Sequence, residues 1–172
     1  MPQVVADVWV PVPPGTAFAV SQTTGETRLR WDPFIRSQRF LDAERAGKDV
    51  RTVTRARTGL SMISRYVSYR PPTSVGMTME RGPWFFATFG GGWRFTPETR
   101  GGVDGTRAVW KYTYAIRPRW LRVVAEPVGQ QLLGREIRTR IAAFARACGD
   151  AGIVAVAEGA ADPGPAGAAR PQ

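Results

Sequence analysis

Alternation of apolar and polar side chains dominates the middle of this chain. Between residues 106 and 117, Ala108, Trp110, Tyr112, Tyr114 and Ile116 fall on one face, while Arg107, Lys111, Thr113 and Arg117 fall mainly on the other. A period of two over that length predicts a strand with one buried face. The same period runs through residues 4–12, with Val4, Ala6, Val8 and Val10 together, until Pro11, Pro13, Pro14 and Gly15 end it. Further strands are expected at 34–41, 50–58, 62–69, 74–80 and 85–95, punctuated by Gly59, Pro71, Pro72, Gly82, Pro83, Gly101 and Gly102. Strands joined this closely predict an antiparallel meander. Two short helices are expected before it, at 16–22 and about 24–31, the second stopped by Pro33.

After Pro118 the period becomes helical. Leu121, Val124, Val128, Leu132, Leu133, Ile137, Ile141, Phe144 and Cys148 recur at steps of three and four, which predicts one long amphipathic helix ending near Gly149 or Gly152. Pro127 is expected to bend or restart it. Gly129 and Gly134 lie inside it, where they either permit close packing on the sheet or leave room for a ligand. Large apolar residues then run out. The pattern divides the chain into a folded domain, 1–152, and a disordered Ala/Gly/Pro-rich tail, 153–172.

Composition narrows the chemistry. No residue is histidine, so a Ser-His-Asp triad, a Cys-His dyad and a His-based zinc site are excluded. Acid–base work would fall to carboxylates, tyrosines, Cys148 or a tuned lysine. One cysteine rules out an internal disulfide and agrees with a cytoplasmic setting. No apolar run reaches the roughly 18 residues a membrane span needs, and the first residues carry no basic and apolar signal pattern. The net charge of +10 comes almost wholly from arginine, scattered along the chain rather than gathered in one run. A preference for GC-rich codons explains that better than specific nucleic-acid binding, although an Arg-rich surface for nucleic acid or anionic lipid heads stays as a third reading.

The order of elements is strand, two short helices, six strands and a long helix. In that order the chain resembles the START-like, helix-grip superfamily (SRPBCC), and within it the polyketide cyclase/dehydrase and lipid-transport group. Val8-Trp9-Val10-Pro11-Val12-Pro13-Pro14-Gly15-Thr16-Ala17-Phe18 looks like the family's first strand entering its first helix. Trp31-Asp32-Pro33 looks like its Trp-x-Pro motif, and Gly92-Trp93-Arg94-Phe95-Thr96-Pro97 with Gly105-Thr106-Arg107 like its penultimate hairpin. The resemblance implies an α+β helix-grip fold. A curved antiparallel sheet of about seven strands would wrap a long C-terminal helix, with two short helices after the first strand. It also implies a cavity for a hydrophobic small molecule, without fixing one activity.

Within that frame the ligand-binding candidates are Trp31, Val75, Met77, Met79, Phe89, Trp93, Trp110, Tyr114, Leu133 and Ile137. Aromatic and methionine side chains suit an irregular apolar ligand, though the same residues also make ordinary core. Trp31 also reads as a structural closure of the short helices, and Asp32 as a turn cap. Catalytic candidates are Tyr66, Arg65 and Tyr112. Two registers of their strand are open: Arg65 inward beside Ile63 and Val67, or Tyr66 inward with Ser64 and Met62, the second being favoured. Glu136 reads as an outer partner of Arg140 at i+4, and Cys148 as a small buried hydrophobe. The leading expectation is a polyketide cyclase/aromatase- or dehydratase-type enzyme of secondary metabolism that shapes a reactive chain. Its alternative is a non-catalytic lipid or quinone carrier. No cofactor or metal is expected; the partner is the hydrophobic ligand, and the protein a monomer or homodimer.

Overall fold

The computed structural model describes residues 1–161, and its alternating segments form one antiparallel sheet. β1 (Gln3–Val10) stops at the prolines, and α1 (Pro14–Ser21) begins on one. Proline is tolerated there because the first helical N–H groups lack intrahelical partners. α2 (Gly25–Trp31) follows, then β2 (Ile35–Phe40), β3 (Arg51–Ala56), β4 (Ser61–Arg70), β5 (Ser74–Arg81), β6 (Phe86–Arg100) and β7 (Val103–Ile116). The seven strands lie in the order β1-β7-β6-β5-β4-β3-β2, so β1 crosses to pair with the last strand and the rest is the expected meander. This is the helix-grip arrangement.

The last hairpin is longer than its hydrophobic pattern suggests. Thr96–Arg100 of β6 continue the ladder onto Val103–Arg107 of β7, leaving only a two-residue turn. Gly101 and Gly102 make that turn with φ of 58° and 79°, the left-handed geometry that matches the twist of paired strands. Curvature comes from glycine of another kind. A Cβ on Gly92 would run into the Val75 carbonyl oxygen, and one on Gly91 would lie 3.0 Å from both the Lys111 carbonyl oxygen and Tyr112 Cδ1. Missing side chains there let β5, β6 and β7 bend together around the concave face.

α3 (Arg122–Cys148) fills that face. It passes Pro127 without a break, although the proline cannot donate to the Val123 carbonyl. Two bonds to β7 pin its start: Tyr114 Oη donates to the Glu126 carbonyl at 2.9 Å, and Arg122 Nε to the Ile116 carbonyl at 3.0 Å. Its second half is packed, with Ile137, Ile141, Phe144 and Cys148 buried among Trp93, Phe95 and Trp31. Trp93 stacks on Trp110 with centroids 4.2 Å apart and lies 4.7 Å from Phe144. The first half differs. Val124, Val128 and Leu132 continue the apolar stripe but stay 67%, 52% and 61% exposed, so this half stands away from the sheet.

One boundary of the sequence reading is corrected. Residues 153–161, expected in the disordered tail, belong to α4 (Ala151–Ala161), while 162–172 lie outside the described residues. Ile153 and Ala157, one turn apart, are buried in the core, and Thr16 Oγ1 donates to Glu158. Small residues suffice because alanine has high helix propensity and allows a close approach to α1. Among the described residues no helix is long and apolar enough to cross a membrane.

Gly92→Ala should destabilise the protein by about 1–3 kcal/mol, because the new methyl meets backbone rather than a side chain that can move. A lowered urea midpoint at unchanged slope checks it, and an unchanged midpoint would mean the strands can spread.

Candidate functional site

Between the sheet and the first half of α3 lies a cavity of about 630 Å³. That is ample for a drug-sized molecule. Its walls are mostly apolar, and the sheet supplies Val75, Met77, Met79, Phe89, Trp93 and Trp110. α3 and the turn before it supply Leu121, Val124, Val128, Leu132 and Leu133. Of the ten ligand-binding candidates, seven line this space. Trp31, Tyr114 and Ile137 do not, which corrects their assignment. Trp31 Nε1 donates to Thr23 Oγ1 at 2.9 Å and its ring packs edge-on to Phe144. Tyr114 spends its hydroxyl on the helix carbonyl, and Ile137 is fully buried core.

The polar part of the cavity is built on Asp32, which has no solvent exposure. Asp32 follows α2 one turn after Arg28, so a single turn of backbone sets the pair. Arg28 Nε donates to Asp32 Oδ2 at 2.9 Å and Arg28 Nη1 to the Ser21 carbonyl at 2.7 Å. From α3, Arg140 Nε donates to Oδ1 at 3.1 Å and Nη2 to Oδ2 at 2.8 Å, a two-pronged grip. The Phe34 amide also donates to Oδ1, at 3.1 Å. Arg140 lies between Phe34 and Trp110, its guanidinium 4.7 and 4.5 Å from their ring centres. A planar weakly hydrated cation tolerates such a slot where an ammonium would not.

Arg140 Nη1 carries the network into the cavity. It donates to Tyr112 Oη at 2.8 Å and to Glu136 Oε1 at 3.2 Å. Tyr112 therefore accepts from a cation and keeps its own proton for the cavity. Tyr66 is also buried and lines the cavity, and among the described residues its hydroxyl makes no hydrogen bond. Burial pushes both phenols well above their ordinary range, so both stay protonated donors at neutral pH. Burial also raises the Asp32 carboxyl, but Arg28 and Arg140 outweigh it and hold it below its usual value. Glu136 goes the other way: desolvation exceeds the pull of Arg140 and its carboxyl titrates above the ordinary glutamate range. A raised carboxylate beside a polarised phenol can exchange a proton with carbon or oxygen.

The structure takes Arg65 out of this chemistry. The favoured register holds: Tyr66 turns inward and Arg65 outward, where it pairs with Glu80 at 2.8 Å and Asp49 at 3.0 Å. Two readings of the sequence understated the network. Asp32 caps a turn through Phe34 but chiefly neutralises two arginines. Glu136 and Arg140 pair inside rather than outside. Their positions carried the signal: Leu133, Glu136, Arg140 and Phe144 advance by three, four and four, along the buried stripe. Cys148 is the buried hydrophobe expected, its thiol pushed up to about 12 by desolvation.

Comparison with known proteins agrees with this geometry. The model of the family described as polyketide cyclase / dehydrase and lipid transport matches residues 1–149. No curated protein matches the chain in sequence. Among solved structures, TTHA0849 from Thermus thermophilus is similar at 19% identity and a TM-score of 0.69, covering 91% of this chain and 99% of its own. A START superfamily protein from Mycobacterium smegmatis is similar at 15% identity and a TM-score of 0.68, covering 83% of this chain and 94% of its own. XoxI from Bacillus cereus, at 13% identity and a TM-score of 0.67, covers 87% of this chain and 97% of its own. At such identities the likeness is one of fold.

Asp32→Ala should cost about 3–5 kcal/mol at neutral pH, because two buried guanidinium groups lose their shared counter-ion. Urea unfolding checks it. The pH dependence has two parts of opposite sign. Asp32 has a folded pKa below its unfolded one, so its stabilisation is complete above the unfolded value and is lost as pH falls through the folded value. Glu136 has a raised folded pKa, so it detracts from stability at higher pH, and that penalty is relieved as pH falls through the folded value. Glu136→Gln should therefore be more stable than the parent at neutral pH; a less stable variant would contradict the assignment.

Proposed function

We propose, from the premise that the chain belongs to the polyketide cyclase / dehydrase and lipid transport family, that its cavity binds a hydrophobic poly-β-keto chain and directs its cyclisation. Binding of a hydrophobic molecule is what the family and the apolar walls have in common. The finer reading rests on one observation: Tyr112 and Glu136 meet on a single nitrogen of the buried Arg140. A purely apolar carrier has no use for a desolvated carboxylate next to a polarised phenol, and a ring-closing enzyme has use for both.

The steps balance without a cofactor. Glu136, as carboxylate, takes a proton from the carbon between two carbonyls. The C–H electron pair becomes the enolate, whose oxygen accepts the Tyr112 hydroxyl proton as a hydrogen bond, backed by Arg140. The enolate carbon then adds to a second carbonyl of the same chain. A C–C bond forms, the C=O π bond breaks, and the new alkoxide takes the proton back from Glu136. The product is an isomer of the substrate, and loss of water from it leads toward an aromatic ring. Trp110, Trp93, Met77 and Leu133 hold the folded chain so that the correct carbons meet. Tyr66 offers a second hydroxyl to a carbonyl further along. The lone buried cysteine supports a cytoplasmic setting.

A non-catalytic carrier of a lipid or quinone is the rival, and the largely apolar lining favours it. Products separate the two. With a reactive poly-β-keto substrate, the protein should shift the product ratio away from that of the uncatalysed reaction. Tyr112→Phe should slow the directed product on the order of 10²-fold. Glu136→Gln should slow it by a similar or larger factor and remove the ascending limb of the pH–rate profile, which lies above the ordinary glutamate range. If the ratio equals that of the uncatalysed reaction while the cavity still takes up ligand, the carrier reading replaces the enzyme.

A further inference from the structure

We infer that the open end of the cavity is a docking surface for an anionic lipid bilayer. In an antiparallel meander alternate connections leave the sheet at the same end. The β3–β4 turn, the β5–β6 turn and the β7–α3 connection all do so, as residues 57–61, 81–86 and 117–124. These segments contain Arg57, Arg81, Arg117, Arg119 and Arg122 and no aspartate or glutamate. They also carry the largest exposed apolar side chains of the described residues. Trp84 and Trp120 are each 78% exposed, with Val123 and Val124 exposed beside them and Leu60 across the opening.

A tryptophan left in water is unfavourable, but an indole at the headgroup boundary buries its ring and keeps its N–H solvated. The charges fit the same neighbour. At this rim Arg122 lies 3.8 Å from a carboxylate, that of Glu126. Among the described residues Arg57, Arg81 and Arg117 have none within ion-pair distance. Unpaired arginines around exposed indoles complement anionic headgroups above an apolar layer. The cavity opens at this rim, since Leu60, Trp84, Arg117, Leu121 and Val124 belong to its lining. An apolar molecule leaving the bilayer would reach Met77 and Trp110 without crossing water. The contact is peripheral, and it holds whether the occupant is later reacted or only carried.

The test is sedimentation of the full chain with phosphatidylcholine vesicles that contain or lack phosphatidylglycerol, with tryptophan emission recorded. Wild type should bind the anionic vesicles with a blue shift of emission and leave the neutral ones largely alone. Each arginine near such a surface contributes about five-fold, so Arg57→Glu with Arg81→Glu should weaken binding about 25-fold or more. Trp120→Ala should weaken it and reduce the blue shift. None of these side chains lines the cavity, so uptake of an environment-sensitive apolar dye should persist in each variant and report an intact fold. No binding to anionic vesicles at low salt overturns the inference, as does undiminished binding by the double arginine variant. Loss of duplex DNA binding in that variant, with vesicle emission unshifted throughout, would likewise overturn it and assign the patch to a polyanion. Vesicle binding by a protein that takes up no dye would leave this inference standing and remove the proposed function.

Discussion

One carboxylate that water does not reach fixes the geometry of this protein. Asp32 sits at the end of α2 and is gripped by Arg28 from its own helix and by Arg140 from α3. Removing three charges from water costs several kcal/mol for each, and their mutual attraction offsets that only when nearly every donor is engaged. Here five donated hydrogen bonds or close ion contacts converge on the two oxygens. The consequence is positional. α2 cannot slide relative to α3 without breaking the two-pronged bond, and Arg140 cannot turn without leaving the slot between Phe34 and Trp110. Tyr112 and Glu136 inherit their places from that fixed guanidinium.

The rest of the fold leaves space where this network ends. The second half of α3 is driven onto the sheet by Ile137, Ile141 and Phe144, as a buried stripe requires. The first half carries valines and leucines but is tied only at its start, by Tyr114 and Arg122. Glycines at 91 and 92 curve the strands away from it. A tight end and a loose end on one helix yield a cavity closed by ionic chemistry at one side and open to a tryptophan-bearing rim at the other. Charge deep inside and apolar surface at the mouth is the arrangement a ligand with an oxygenated part and a greasy part would need.

Much of this architecture is legible in the chain because each sheet face repeats one demand. Ala108, Trp110, Tyr112, Tyr114 and Ile116 are all buried, as a period of two over a one-sided strand requires. The faces of β4 were less legible, since Ser64, Arg65 and Tyr66 mix polarity on both sides and only pairing with β5 settles which points inward. Tyr114 looks like Tyr112 in sequence, yet one hydroxyl is used by a helix carbonyl and the other by Arg140, a difference of partners more than ten residues away. α4 is hard to read from the chain because its alanines and glycines carry little hydrophobic signal, although Ile153 and Ala157 are buried where it seats. The buried ion cluster was hidden for a physical reason. A charged residue on an apolar stripe looks like surface until its counter-ion, 108 residues distant, is known.

The central claim is that Tyr112, held by Arg140, presents its proton to an oxygen of the bound molecule. The most direct measurement is the ionisation of an apolar 1,3-diketone in the cavity, followed by absorbance as pH is varied in wild type and Tyr112→Phe. A hydrogen bond to the charged form favours that form, and a charge-assisted bond of ordinary strength corresponds to about one pKa unit. The bound diketone should therefore ionise about one unit lower in wild type than in the phenylalanine variant, with both proteins binding the neutral form equally well. Equal ionisation in the two proteins would contradict the account.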